Sequence, residues 1–278
     1  MTAVEDFETN VELTDFQAMA KFAYDELGLI LGPGKVALIR SRLRHRLRRL
    51  GMTSLSEYCD LVAAHGNQIE KRYVVSALTT NVSGFFREPH HFGVLANTVW
   101  PKLREQTLNS KIRVWSAGCS YGQEPLSIAI SLLEYFPNLP RNRIKITATD
   151  VDFSVIEIAK LMAFDHSSVF GLSSLRQNRF FQVNESANGK IFTARRKISE
   201  MITFTEANLL SYVKEMPLQD VIFCRNVMIY FEKETQGHVL RKLVSCLKPG
   251  GFLFVGHAER ADHPSLVPLG GTAYAKLD

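Results

Sequence analysis

Cysteine is scarce. Its four residues (Cys59, Cys119, Cys224, Cys246) lie far apart, with no CxxC pair and no Cys/His cluster at metal-ligand spacing. That pattern encodes neither a disulfide framework nor a structural zinc site, and free thiols fit a reducing compartment. No apolar run approaches the roughly 18 to 20 residues needed to cross a bilayer. The opening MTAVEDFETN is acidic and polar, unlike a signal peptide. A cytoplasmic protein without membrane insertion is therefore expected. Glycine and proline, 17 and 10 of 278 residues, are too few for a collagen-like or low-complexity chain. Against these absences stand 46% hydrophobic residues, enough to bury a core in one large domain or in one large and one small domain.

Acidic residues are missing from one stretch in particular. Between Lys35 and Leu50 lie Lys35, Arg40, Arg42, Arg44, Arg46, Arg48 and Arg49 with no acid, although the whole chain carries only +5. The basicity is local, and the remainder has a slight acidic excess. Leu43, Leu47 and Leu50 share one face at i, i+4, i+7 while the arginines occupy the others, so the spacing predicts an amphipathic helix with a cationic outer surface. A solvated cationic face is the plain reading. Seven like charges repel one another, however, and an anionic partner would relieve that cost.

The first eighty residues read as short helices. Thr14 and Gln17 form a capping signature before Phe16, Met19, Ala20, Ala23 and Leu27, with Gly28 as a stop. Ser54 and Glu57 repeat the signature, Gly66 ends the third helix, and a fourth runs over about 68–78. From about Lys111 the pattern changes to β-rich runs alternating with helices, the signal for a parallel sheet of βαβ units. Strands are predicted at 112–116, 144–149, 221–224 and 252–255, and helices at 125–135, 154–161 and 232–247. Residues from about 179 to 204, around the turn-prone NESANG, read as a small antiparallel hairpin inserted into this α/β domain.

The most informative segment is RVWSAGCSYGQEPLS (113–127): a strand, a turn of small residues, then a helix whose start is marked by Glu124 and Pro125. A doubly wound sheet binds its ligand at such a turn. The turn lacks the GK[ST] ending of a phosphate-binding loop and is not a GxGxxG, since its glycines are Gly118 and Gly122 only. Glu124 would repel a pyrophosphate and favour a cation or ribose hydroxyls. Asp150 follows the second strand, where an acid accepts ribose hydroxyls. A ribose-bearing, cationic, phosphate-free cofactor is S-adenosylmethionine. Asp150 also reads simply as the cap of the next helix.

TTNVSGFFREPHHF (79–92), VWSAGCSYGQEP (114–125), ATDVD (148–152), ANLL (207–210), FCRNVMIYF (223–231) and LKPGGFLFVGHAE (247–259) together resemble the CheR family, the bacterial chemotaxis receptor protein-glutamate O-methyltransferases. The resemblance covers nearly the whole chain. It implies a Rossmann-like α/β S-adenosylmethionine methyltransferase domain with a small antiparallel β insert, preceded by an all-α N-terminal domain. The division it suggests is a helical domain over 1–80 with the basic helix at 35–50, a linker and cofactor-covering segment over 81–110, and the methyltransferase domain over 111–278 with its β insert at about 179–204. It also implies that Asn81, Ser83, Arg87, Gly118, Glu124, Asp150, Asn208, Leu209, Asn226 and Val227 hold the cofactor, and that Tyr230 sits near the transferred methyl. Arg87 and Tyr230 are the expected catalytic pair, and no metal is expected. Three positions depart from the family pattern: Ser83 stands where Thr is usual, Gly84 where an aromatic is common, and Gln123 where a first Glu is expected.

The activity so implied converts glutamate side chains of a chemoreceptor's cytoplasmic helices to methyl esters and releases S-adenosylhomocysteine. A glutamate carboxylate is already ionised at pH 7, with an unperturbed pKa of about 4.3, so alignment matters more than a strong base. On this reading Arg40, Arg42, Arg44, Arg46, Arg48 and Arg49 dock on the acidic receptor surface, and a monomer is the expected form. Two other readings stand beside it. In a nucleic-acid methyltransferase the same arginines would meet phosphate and binding would weaken steeply with salt, but the aromatic interleaving of single-strand binders is missing. In a non-catalytic sensor the fold would bind the cofactor without transferring it, against which stand Arg87 and Tyr230. His90 and His91 have no ligand-spaced partners and read as structural or solvent-facing, and His257, after the last strand, reads as a solvated loop residue within reach of the pocket rim.

Overall fold

The computed structural model describes residues 16–63, 67–106, 110–187, 189–211 and 216–278. Thr14, Gly66 and Asn188 of the insert loop lie outside them. The chain forms two compact units, Met1–Thr80 with Tyr230–Thr235, and Asn81–Ile229 with Gln236–Asp278.

The first unit is helical. A helix over 16–27 (α1) buries Met19, Ala23 and Leu27 of the expected series together with Phe22, while Phe16 and Ala20 are half-buried, and Gly28 follows with φ +67°. The basic stretch forms α2 (Val36–Leu50), followed by α3 (Leu55–Ala63) and α4 (Gln68–Leu78). The buried stripe of α2 is Ile39, Leu43 and Leu47. Leu50, expected on that stripe, stays 37% exposed because the helix closes there. Gly51 adopts φ +69°, and the N–H groups of Gly51 and Met52 return to the carbonyls of Arg48 and Leu47. The Ser54 hydroxyl accepts the Glu57 N–H at 3.3 Å, as its spacing predicts, and Asn67 caps α4 through the Glu70 N–H.

Arg42 and Arg46 adjoin the apolar stripe of α2, and their long stems carry both guanidinium groups over its edge. Arg42 donates to the carbonyls of Ala77 (2.9 Å) and Thr79 (2.6 Å), which closes the end of α4. Arg46 makes a two-pronged ion pair with Glu70, its Nε at 2.8 Å from one oxygen and its Nη2 on the other. Glu70 is buried and also accepts the Tyr58 hydroxyl at 2.8 Å. Its hydrogen bond from Arg46 holds the Glu70 carboxyl below the usual range against the opposing effect of burial. The segment after Met228 joins this unit as well: Ile30 donates to the Tyr230 carbonyl at 2.9 Å, Leu29 bridges Phe231, and the Lys35 ammonium lies over the Tyr230 ring.

The second unit is an α/β domain. Short helices α5 (Pro89–Val94) and α6 (Trp100–Gln106), joined by a π-helical turn, lead into β1 (Ile112–Ala117), α7 (Gln123–Tyr135), β2 (Ile144–Asp150) and α8 (Phe153–Leu161). Then come β3 (Ala163–Asp165), α9 (His166–Val169), α10 (Ser174–Phe180), β4 (Phe181–Ser186), β5 (Gly189–Ala194), α11 (Arg196–Ser199) and β6 (Ile202–Glu206). The chain finishes with β7 (Gln219–Cys224), α12 (Lys233–Cys246), β8 (Leu247–Val255), β9 (Leu266–Gly270) and β10 (Ala273–Lys276). The main sheet has the order β6-β2-β1-β7-β8-β10-β9, with its first five strands parallel and the last two antiparallel. Its central strands are apolar on both faces, as a helix-covered parallel sheet requires. Trp115 is wholly buried on β1, and Phe223 stacks on Phe254 of the next strand at 4.5 Å.

Two parts of the sheet differ from the expectation. The insert has three strands, β3-β5-β4, so it begins before residue 179, at Ala163. It also ends before 204, because Ile202–Glu206 leaves it to pair in parallel with β2. A five-residue alternation suits either sheet, and burial of Ile202 and Phe204 against the main core decides. The C-terminal hairpin β9-β10 carries Pro268, tolerable because β9 is an edge.

Removing one partner of a buried ion pair costs about 3 to 5 kcal/mol, whereas exposed substitutions stay within about 0.5 kcal/mol. Arg46→Met is therefore expected to destabilise α2–α4 by about 3 kcal/mol, and exposed Arg44→Met to leave them unchanged. Urea denaturation with hydrogen exchange of the α2 and α4 amides checks both.

Candidate active site

From β1 the sheet runs to β2 and β6 on one side and to β7 and β8 on the other. The reversal opens a crevice at the carboxyl ends of β1 and β7, where doubly wound sheets take their ligands. The turn after β1 rests on the end of β2: the N–H groups of Gly118 and Cys119 both reach the Thr149 carbonyl, at 2.8 and 2.9 Å. Gly118 has φ +85°, and a Cβ there would lie 2.3 Å from Cγ2 of Val227, so only glycine lets the two loops meet. Within the turn Ser120 Oγ and, at the start of α7, Gln123 Oε1 are buried without a hydrogen-bond partner.

Asp150 ends β2 and is buried. One of its oxygens accepts the Ser120 N–H at 2.8 Å and the other the Asp152 N–H at 3.0 Å. Burial raises its carboxyl above the ordinary range, opposed by those two backbone donors. Each oxygen keeps a further lone pair for a ligand hydroxyl. The cap of α8 is Asp152, which accepts the Ser154 N–H at 2.9 Å and the Asn81 amide at 2.8 Å. Asn81 is thereby tied to the end of β2, next to Asp150. Asn208, after β6, accepts the Leu210 N–H at 2.9 Å, while Ala207 donates to the Asp150 carbonyl and Leu209 is buried.

Glu124 does not stand open as an isolated acid. Its two oxygens accept the Ser116 hydroxyl at 2.6 Å and Nη1 of Arg225 at 3.2 Å. Burial pushes its carboxyl up, against the Arg225 charge and the Ser116 hydrogen bond that favour the ionised form. Arg225 is the residue that reasoning from the sequence missed. Its side chain is 2% exposed; Nη2 donates to the Arg87 carbonyl and lies 3.3 Å from Glu88 Oε2. The available signal was its place directly before Asn226 at the end of a fully buried strand.

Glu88 collects the other contacts of this network. It accepts the Asn226 amide and the His257 N–H, both at 3.3 Å, and His257 Nδ1 lies 3.0 Å away. Burial alone would raise the Glu88 carboxyl, but the His257 hydrogen bonds, the Arg225 charge and the Asn226 amide bring it down to about 2. His91 is buried beside it, with Nε2 2.7 Å from the Gly271 carbonyl; burial and then the Arg225 charge bring it down to about 4. Glu88, His90 and His91 place donor atoms within 4.8 Å of one another, but the Arg225 guanidinium already supplies a cation at that carboxylate.

The covering segment is held in unusual backbone. Phe86 and Glu88 have φ +51° and +54°, costly for side chains of this size. Phe86 donates its N–H to Ser127 at 2.9 Å and carries the Arg176 guanidinium over its ring, while Phe85 packs edge-on against Phe164 and Phe181 of the insert. Arg87 donates to the Val82 carbonyl at 2.8 Å and so folds the loop containing half-buried Ser83. The structure thus gathers Asn81, Ser83, Arg87, Gly118, Glu124, Asp150, Asn208, Leu209, Asn226 and Val227 into one unit. Tyr230 is grouped instead with the helical unit, as are all six docking arginines.

The orphaned polar atoms of the turn, the glycine cradle and the spare lone pairs of Asp150 fit a nucleoside-bearing ligand. Residues 14–79 match the family described as CheR methyltransferase, all-alpha domain, and residues 81–269 match the CheR methyltransferase, SAM binding domain. The chain belongs to the CheR methyltransferase family. It is an S-adenosylmethionine-dependent methyltransferase. Similar relatives include a "Probable chemotaxis protein methyltransferase" of Rhizobium etli, 38% identical over 85% of this chain and 89% of the relative. The "Chemotaxis protein methyltransferase" of Escherichia coli is 35% identical over 89% and 85%. "Chemotaxis protein methyltransferase 2" of Pseudomonas aeruginosa is 35% identical over 94% and 92%.

Gly118→Ala in this CheR-family enzyme is expected to weaken S-adenosylhomocysteine binding at least tenfold and to cost about 1 to 3 kcal/mol of stability. Adding Val227→Ala should recover part of the stability, since it removes the clash and leaves the strained φ. Calorimetric titration and urea denaturation of the single and double variants check this.

Proposed function

We propose that this enzyme methylates glutamate carboxylates on the cytoplasmic helices of a chemoreceptor, giving methyl esters. The observation that carries the reading is the pairing of both CheR domains along the chain with relatives named chemotaxis protein methyltransferases. S-adenosylmethionine supplies an electrophilic methyl on a sulfonium. Asp150, Asn208 and Leu209 would hold its nucleoside, and Asn81, Ser83, Gly118, Glu124, Asn226 and Val227 the rest.

The substrate carboxylate arrives ionised, so the chain's task is to strip its water and align it, an advantage of up to about 7 to 11 kcal/mol. Arg87 spends one donor on Val82 and keeps others of its planar fork for an incoming carboxylate. Burial raises the Cys119 and Cys224 thiols well above their ordinary values, so neither competes as a thiolate nucleophile. Tyr230 is proposed as the second orienting group on the family resemblance alone.

Arg44, Arg48 and Arg49 are exposed and are proposed, with Arg40, to dock on the acidic receptor helices. Arg46 is half-buried on Glu70, and exposed Arg42 has its guanidinium engaged by the carbonyls at the end of α4, so neither is assigned to docking.

Incubation with tritiated S-adenosylmethionine and receptor-containing membranes should label the receptor. The label should be released as methanol by mild alkali, which hydrolyses esters and spares N-methyl groups. Alkali-stable label, or label in added RNA, would refute the reading. Arg87→Ala should lower turnover by roughly tenfold or more, and a wild-type rate would remove its assigned role. Charge reversal at Arg44 and Arg48 should slow methylation of intact receptor and leave cofactor affinity unchanged. An unaltered receptor rate would remove the docking surface.

A further inference from the structure

After β8 the chain turns through Gly256, His257 and Ala258 to Glu259, a residue only 5% exposed whose carboxylate meets the loop that follows β7. Oε1 accepts the N–H groups of Val227 at 2.9 Å, Met228 at 2.7 Å and Ile229 at 3.3 Å. Oε2 accepts those of Asn226 at 2.9 Å and of Gly256. Five backbone donors therefore converge on one side chain. Four of them come from consecutive residues, where the start of a helical turn leaves its N–H groups without backbone acceptors.

The loop so held does not rest in ordinary backbone. Asn226 has φ +58°, in the left-handed region that non-glycine residues seldom adopt and that asparagine tolerates best. Gly256 completes the arrangement: a Cβ there would lie 2.5 Å from Asn226 Nδ2 and 2.8 Å from Glu259 Oε2. Above the carboxylate, the same loop presents Val227 to Gly118 and the Asn226 amide to Glu88. Both contacts form the wall of the crevice between β1 and β7. Glu259 fixes the backbone of the two residues that make these contacts.

We propose that Glu259 is a positioning residue for the cofactor. By supplying the anion that the 226–229 loop encloses, it holds Asn226 and Val227 in the geometry that S-adenosylmethionine requires. The inference rests on the placement of the cofactor at the carboxyl ends of β1 and β7. It does not depend on which carboxylate receives the methyl group.

Glu259→Gln keeps size and shape but turns an NH2 group toward backbone N–H donors. The dissociation constant of S-adenosylhomocysteine, measured by calorimetry on folded protein, is expected to rise tenfold or more. With receptor membranes the cofactor KM should rise likewise, while kcat at saturating cofactor falls by less than threefold. Glu259→Ala leaves the N–H groups facing a gap, and millimolar formate, a carboxylate small enough to enter it, should restore much of the lost affinity. A role confined to fold stability predicts lower thermal stability, a reduced folded fraction and unchanged affinity in what remains folded. Affinity within twofold of wild type in folded Glu259→Gln overturns the proposal, as does a Glu259→Ala defect that formate leaves untouched. Should either variant fail to fold, Glu259→Asp, with its carboxylate one methylene short, is read by the same titration, and wild-type affinity there overturns the proposal too. Failure of the wild-type protein to bind S-adenosylhomocysteine would instead refute the placement of the cofactor.

Discussion

A guanidinium cannot be buried alone, and the Arg225 side chain is almost completely enclosed. Its charge has to be met by acceptors within the protein, and three come from two places in the sequence: Glu124 at the start of α7, and the Arg87 carbonyl with the adjoining Glu88 at the head of α5. Those partners are what hold the covering segment against the carboxyl end of the sheet. Loss of both carboxylates would leave a desolvated cation underneath the crevice, which costs far more than an ordinary hydrogen bond. The segment can therefore sustain φ values that Phe86 and Glu88 would not otherwise adopt.

The loop after β7 is built on two enclosed charges of opposite sign. Arg225 enters it as a cation surrounded by acceptors, and one residue later Glu259 lies below as an anion surrounded by donors. Each removes a freedom that the other leaves. Arg225 fixes the loop to α7 and α5, and Glu259 fixes its backbone to the end of β8. Asn226 lies between them and has its main chain set by one and its amide set by Glu88, the partner of the other.

Most of the fold was legible from local pattern. Strands β1, β2, β7 and β8 and helices α7, α8 and α12 announce themselves by apolar runs and periodicity, because both faces of a parallel sheet and one face of its helices must be covered. What escaped is whatever tertiary pairing decides. Ile202–Glu206 alternates like a hairpin strand and is claimed by β2 only through burial of Ile202 and Phe204. Strand β9, with its proline, gives no strand signal at all. Among the site residues, glycine spacing and the acid after β2 marked Gly118 and Asp150. Arg225, Glu88 and Glu259 work through partners 30 to 169 positions away, a relation that composition and spacing do not carry. For the same reason the cationic helix reads as uniform in sequence, although Arg42 and Arg46 are bonded to α4 while Arg44, Arg48 and Arg49 are exposed.

This distribution of charge suits a displacement in which both reactants already hold their charges. When the nucleophile arrives ionised and the electrophile is a bound sulfonium, a strong base in the crevice adds little. The carboxyl groups close to the crevice are matched from within: Glu124 by Arg225 and Ser116, Glu88 by Arg225 and His257, Glu259 by backbone N–H groups, and Asp150 by the N–H groups of Ser120 and Asp152. Matched charges keep their positions when water leaves, and fixed dipoles need little reorganisation as the reactant charges cancel. Alignment, the quantity that such a reaction lacks in free solution, is then supplied by the rigidity of the loops around it.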